Sequence, residues 1–161
     1  MAIEKKSKKI TTSVNLSLRL DPRTKYLIDM LARQQKRTIT GVIEWAVEQA
    51  GAETIFDGDL GNTFLDVIDS LWSTDESIRL TQLAWSRPDL LSYEEMRIWE
   101  TIRASPYFWY DDGSDEPKLA GGTLQEHWDS LVKHVQKRRL SRAVKPYFGD
   151  APQCSNATYK A

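Results

Sequence analysis

From Thr12 to Leu20 the chain reads Thr-Ser-Val-Asn-Leu-Ser-Leu-Arg-Leu, and Val14, Leu16, Leu18 and Leu20 alternate with Ser13, Asn15, Ser17 and Arg19. A period of two puts one set on each face of an extended segment, so the pattern predicts a strand with one buried and one exposed face. Asp21-Pro22 follows, an N-cap residue and a proline suited to the first helical position. The period then lengthens, with Leu27, Ile28, Leu31 and Ala32 recurring at helical spacing as far as Lys36. Arg37-Thr38-Ile39-Thr40 breaks the run with cap-forming residues. Ile39, Val42, Ile43, Ala46 and Val47 then predict a second helix, stopping at Gly51.

Beyond this strand-helix-turn-helix segment the pattern stays helical. Gly51 to Gly61, with three glycines and three acids, is expected to be a linker. Leu60, Phe64, Leu65, Ile68, Leu71 and Trp72 form one apolar stripe. Ser73 with Glu76, Ser92 with Glu95 and Thr123 with Glu126 have capping-box spacing, and Pro88 and Pro106 mark helix ends. Trp128, Leu131, Val132 and Val135 line a last helix, and residues 106–122 before it are expected to be a long loop or a short strand. The expected division is a basic flexible arm (1–11), a strand-helix-helix module (12–50), a linker (51–60), an all-helical domain (61–148) and a tail (149–161), a mostly α protein.

Composition adds little until it is divided. The chain has 161 residues, 40% of them hydrophobic, and a net charge of -1. That is enough apolar content for a core. It contains no run of about eighteen apolar residues, so no membrane span is expected. The basic start lacks the apolar region of a signal peptide, and a lone cysteine, Cys154, suits a reducing compartment, so the expected location is the cytoplasm. Residues 1–50 hold ten Lys/Arg and five acids, whereas residues 51–120 hold five Lys/Arg and fifteen acids. A head near +5 on a body near -10 is the asymmetry expected of a nucleic-acid-binding arm on another domain.

The predicted strand has no partner strand within the first fifty residues, and bare edges are unstable. Pairing with the same strand of a second chain gives a two-stranded antiparallel ribbon about a two-fold axis, a shape that fits the major groove of B-DNA. VNLSLRLDP, a helix, KRTIT and a second helix ending near Gly51 resemble the ribbon-helix-helix (Arc/MetJ-type) DNA-binding family over residues 12–50. The resemblance implies that Asn15, Ser17 and Arg19 read base edges and that Thr38, Thr40 and Gly41, at the start of the second helix, hold a phosphate. The chemistry agrees: Arg forks to guanine, Asn pairs with the adenine edge, Ser is permissive, and a helix N-terminus favours an anion. Lys9, just before the ribbon, adds phosphate attraction. Where the family often has a turn glycine this chain has Lys36, and a left-handed lysine costs on the order of 1 kcal/mol. The plainer alternative makes Asn15, Ser17 and Arg19 a solvated strand face.

Catalytic chemistry finds no support. There is no Gly-rich phosphate loop, zinc spacing or nucleophile motif, so neither enzyme activity nor a cofactor is expected. His127 and His134 are expected to be ordinary helix-surface residues, and Asp111, Asp112, Asp115 and Glu116 solvated loop acids. Of six tryptophans, Trp72, Trp99 and Trp128 are expected in the core, with some of the Tyr107–Tyr110 aromatics exposed. The basic end of the last helix (Lys137, Arg138, Arg139, Arg142, Lys145) complements the helix dipole or makes a second phosphate contact. The expected function is a site-specific transcriptional regulator, a repressor. It would bind a pseudo-palindromic double-stranded site as a homodimer or higher even oligomer, with residues 61–148 available to a protein partner or effector. An antitoxin that represses its own operon and a plasmid or mobile-element accessory protein remain open.

Overall fold

The computed structural model describes residues 14–114, 116–141 and 143–149. Lys9, Ser13, Asp115, Arg142 and Cys154 lie outside them. The chain divides into two compact units, Met1–Ile55 and Phe56–Ala161. Among the described residues it is mostly helical, with seven α-helices and two small two-stranded sheets.

The first unit contains α1 (Pro22–Gln35) and α2 (Ile39–Glu53), packed on each other. Residues 14–20 carry no strand ladder in the single chain. Lys36 ends α1 in the left-handed conformation (φ 52°, ψ 40°), and the next N–H, from Arg37, closes the turn on Ala32 O at 3.0 Å. The second helix runs past Gly51, the expected stop. Gly51 keeps a negative φ, and Thr54 caps the end by donating both its N–H (3.0 Å) and its hydroxyl (2.7 Å) to Ala50 O. Among the described residues of this unit, Val42 is the only buried apolar side chain.

The second unit supplies the buried core. It contains α3 (Phe64–Leu71), α4 (Glu76–Ser86), α5 (Tyr93–Ala104), α6 (Gly121–Glu126) and α7 (Trp128–Lys137). Leu80 and Ala84 of α4, Trp99 and Ile102 of α5, Phe108, Leu124, and Leu131 and Val135 of α7 pack together with Tyr147. The expected all-helical body is interrupted twice. Ile55–Asp57 (β1) pairs with Asn62–Thr63 (β2) through a turn with Gly61 at φ 71°. Trp109–Tyr110 (β3) pairs antiparallel with Lys118–Leu119 (β4), beyond a turn in which Asp111 accepts the N–H of Gly113 (φ 84°) at 2.8 Å. Asp112 pairs with Lys118 at 2.6 Å, so two of the expected loop acids shape this hairpin.

The helix ends only partly follow the expected caps. Ser92 and Glu95 form the capping box of α5. Ser73 and Glu76 do not, because Asp75 lies closer to α4 and accepts from Ser77 N–H (2.9 Å) and Ile78 N–H (3.2 Å). Thr123 falls inside α6, and a further box, Thr63 with Asp66, starts α3. Trp99 is buried and Trp128 half-buried, but Trp72 is 63% exposed. It is the extended C-cap of α3, which turns it out of the helical stripe and under the Arg79 guanidinium, 5.2 Å from the ring centroid.

Arginines and one buried serine tie the second unit together over long sequence distances. Arg87 donates to Phe56 O and grips Asp89 with two bonds of 2.8 and 2.7 Å. Arg97 of α5 donates to Arg138 O and Arg139 O at the end of α7. Ser105 is fully buried, donates to Thr101 O and accepts the N–H of Tyr147 at 2.8 Å, anchoring the segment after α7. Ser105→Ala leaves that buried N–H without its acceptor, at a cost of about 1–3 kcal/mol. Chemical denaturation should show the loss, and a cost under a few tenths of a kcal/mol would mean that the bond from Tyr147 N–H to Ser105 does not anchor this segment.

Candidate nucleic-acid interface

The first unit's candidate site is built from two helix starts and the segment before them. Asp21 caps α1, accepting from Arg23 N–H (3.0 Å), Thr24 N–H (3.1 Å) and the Thr24 hydroxyl, with Pro22 behind it at the first helical position. This fixes the point where residues 14–20 leave the helix pair. Asn15, Ser17 and Arg19 are all exposed. So are Val14 (88%), Leu16 (76%), Leu18 (49%) and Leu20 (45%), so in the single chain neither face of the segment is covered.

At the start of α2, Thr38 is the N-cap and its hydroxyl accepts the Gly41 N–H at 3.0 Å. Of the three expected phosphate contacts, Gly41 thus has its donor engaged, while no described group accepts the N–H of Thr40. Thr38 and Thr40 are exposed, at the helix end where backbone N–H groups and the dipole favour an anion. A Cβ at position 41 would lie 3.3 Å from the Thr38 hydroxyl, so glycine keeps this cap uncrowded. Lys9, the fourth expected contact, lies outside the described residues.

Lys36 and Arg37 were not singled out as contacts by the sequence pattern, yet both are exposed and immediately precede the Thr38 cap. The signal was their adjacency to a predicted helix start. Lys25 is less available, being paired with Asp29 at 2.7 Å across one helical turn. The exposed cations at positions 19, 23, 33, 36 and 37 give this unit the sign that attracts phosphate. Among the described residues no group of three or more His, Cys, Asp or Glu is placed to hold a metal ion, and no helix is long and apolar enough to cross a membrane. His127 and His134 are half-buried rather than surface residues. The ring of His127 is bonded to the hydroxyls of Tyr107 (2.8 Å) and Tyr147 (3.3 Å), and that of His134 to Lys145 O (2.9 Å).

No protein-family model, curated protein or solved structure matches this chain. The interface therefore rests on its own chemistry.

Its helix joint responds to acid in a definite direction. The Thr24 hydroxyl, then the Thr24 N–H, hold the Asp21 carboxyl below the ordinary value of 3.8. A carboxyl lowered in the folded state contributes fully above 3.8 and loses its contribution as pH falls below that, through the depressed value. The amide resonances of Arg23 and Thr24 should move over this acid range in the native protein and stay flat in Asp21→Asn. Identical acid profiles would show that the cap is not charge-assisted.

Proposed function

We propose that this protein is a homodimeric, site-specific DNA-binding regulator of transcription, a repressor, whose two copies of residues 14–20 pair as an antiparallel ribbon of the ribbon-helix-helix type. The observation that carries this reading is the uncovered apolar surface of the first unit. Val14, Leu16, Leu18 and Leu20 are joined by Tyr26 (59%), Leu27 (51%), Met30 (42%), Ile39 (49%) and Val47 (66%), against a single buried aliphatic, Val42, among the described residues. A second copy supplies both missing components: a strand partner for backbone groups that have none among the described residues, and cover for the alternate aliphatics.

Magnitudes favour the same arrangement. Full burial of an aliphatic side chain contributes about 1.5–3 kcal/mol. Association costs about 4–15 kcal/mol in lost freedom. The four ribbon aliphatics from each of two chains are comparable with that cost, and the exposed face of α1 and α2 adds the surplus. Once the aliphatic row is covered, alternation turns Asn15, Ser17 and Arg19 outward as a set. A ribbon of this width enters the major groove, where those three types can read base edges, while the start of α2 with Lys36 and Arg37 meets the backbone. The two-fold axis requires a pseudo-palindromic site. The buried core of the second unit supports a body folded in advance, for a partner or effector, over a neutralising tail that folds on its target.

Sequencing the genomic fragments retained by the protein tests both binding and target. A short recurring site with dyad symmetry is expected. Arg19→Ala should weaken binding to that site by about 1–3 kcal/mol and relax preference at one position per half-site. An unchanged footprint and affinity would remove the ribbon from the role of reader.

A further inference from the structure

The second unit carries a feature that DNA reading by the first unit does not use. Between α5, the end of α7 and the segment after it lies a cleft of about 310 Å³, whose walls include Tyr93, Arg97, His134, Val135, Arg138 and Lys145. Two further depressions adjoin it, and Arg138 lines all three. The cations around them are Arg97, Lys133, Lys137, Arg138, Arg139 and Lys145. Against these stand Glu100 on the cleft wall and Glu94, which is paired with Arg139 at 3.1 Å.

A helix C-terminus accounts for part of this charge. Arg97 satisfies the carbonyls of Arg138 and Arg139, and Arg138 bonds His134 O at 3.3 Å and the free ring nitrogen of His134 at 3.1 Å. The dipole of a helix end, however, amounts to roughly half a charge. Among the described residues, six cations with two carboxylates leave an excess several times larger, on a body whose residues 51–120 are strongly acidic. The ammonium of Lys145 makes no hydrogen bond or ion pair among the described residues, and the Nε and second terminal nitrogen of Arg138 are likewise unused. Among the described residues, cations are brought together here with fewer carboxylates than would compensate them.

We propose that this cleft binds a small organic anion, its phosphate or carboxylate held by Arg138 and Lys145 and its remaining body seated against Tyr93, Val135 and Val144. The volume is that of a small-ligand site, and its mixture of an apolar wall with a few convergent polar groups is what such sites need. Arg138 offers a planar fork to an oxyanion, and Lys145 a point charge on the segment that walls the cleft. Arg97 and His134 act as positioning residues, since their polar atoms hold the end of α7 and Lys145 O in place. The inference stands apart from DNA reading, because every residue involved belongs to the second unit.

The test is a titration of the full-length, ¹⁵N-labelled chain with inorganic phosphate, at constant ionic strength set with chloride. Saturable amide shifts are expected, confined to residues 97–101 and 134–145. Lys145→Gln should weaken the phosphate constant about tenfold while leaving the rest of the spectrum in place, since its ammonium makes no hydrogen bond or ion pair among the described residues. Arg138→Gln should weaken it further, with Lys118→Gln in the β3–β4 hairpin as the unaffected control. Shifts that grow linearly without saturating, or that persist unchanged in Lys145→Gln, overturn the proposal. So does a parallel loss of affinity for genomic DNA fragments in Lys145→Gln, which would assign the cations to a nucleic-acid backbone instead. Absence of any retained DNA with the phosphate response intact would count against the ribbon reader alone.

Discussion

Residues 14–20 are the constraint on which the first unit depends. Their backbone donors and acceptors have no partner among the described residues, and their four aliphatic side chains are between 45% and 88% exposed. A segment fixed in that condition costs conformational entropy without return. Everything near it is nevertheless ordered to present it. Asp21 and Pro22 fix its exit from α1, Lys36 adopts a left-handed turn to fold α2 back, and Thr38 caps the helix that follows. The arrangement makes energetic sense when a second copy completes it, and under that proposed condition Asn15, Ser17 and Arg19 become one face of a ribbon.

The second unit is stabilised differently. Its helices meet around a continuous core, and its chain ends are fastened by polar groups that reach across the fold, Arg87 to Phe56, Arg97 to the end of α7, and Ser105 to Tyr147. A self-sufficient body beside a head that lacks cover suits a division of labour, with assembly and DNA contact in the first unit and ligand recognition in the second. The charge layout agrees with it. Acidic residues along 51–120 repel a phosphate backbone, and the net positive charge of residues 1–50 attracts one.

Much of the first unit was legible because its signals are local. Asp21-Pro22 and Thr38 announce the helix starts within a few residues, and the change of period separates the segment before α1 from the helix itself. Local signals failed where two candidates compete. Asp75 displaced Ser73 as the cap of α4, and Thr54 capped α2 after Gly51 remained helical. Strands of two or three residues, such as those at Asn62 and Lys118, are too short for a period to register. Trp72 sits on a helical stripe by spacing alone, and the early end of α3 turns it outward. In the candidate interface, Asn15, Ser17 and Arg19 are exposed together with the alternate aliphatics, because the face expected to be buried has no cover in the single chain. The engagement of the Gly41 N–H by Thr38 is set by the folded helix start. The basic run at the end of α7 was legible as a second phosphate contact, but the cleft was not, because Arg97 and Arg138 are far apart in the chain and meet only where α5 reaches the end of α7.

Amide hydrogen exchange across Val14–Leu20, followed over a range of protein concentrations without DNA, tests the central claim most directly. Ribbon pairing between two copies predicts protection on alternate amides of this segment, rising with concentration in step with the dimer fraction measured by sedimentation. Exchange of all these amides at free-chain rates, at concentrations where the protein is already dimeric, would contradict the shared ribbon.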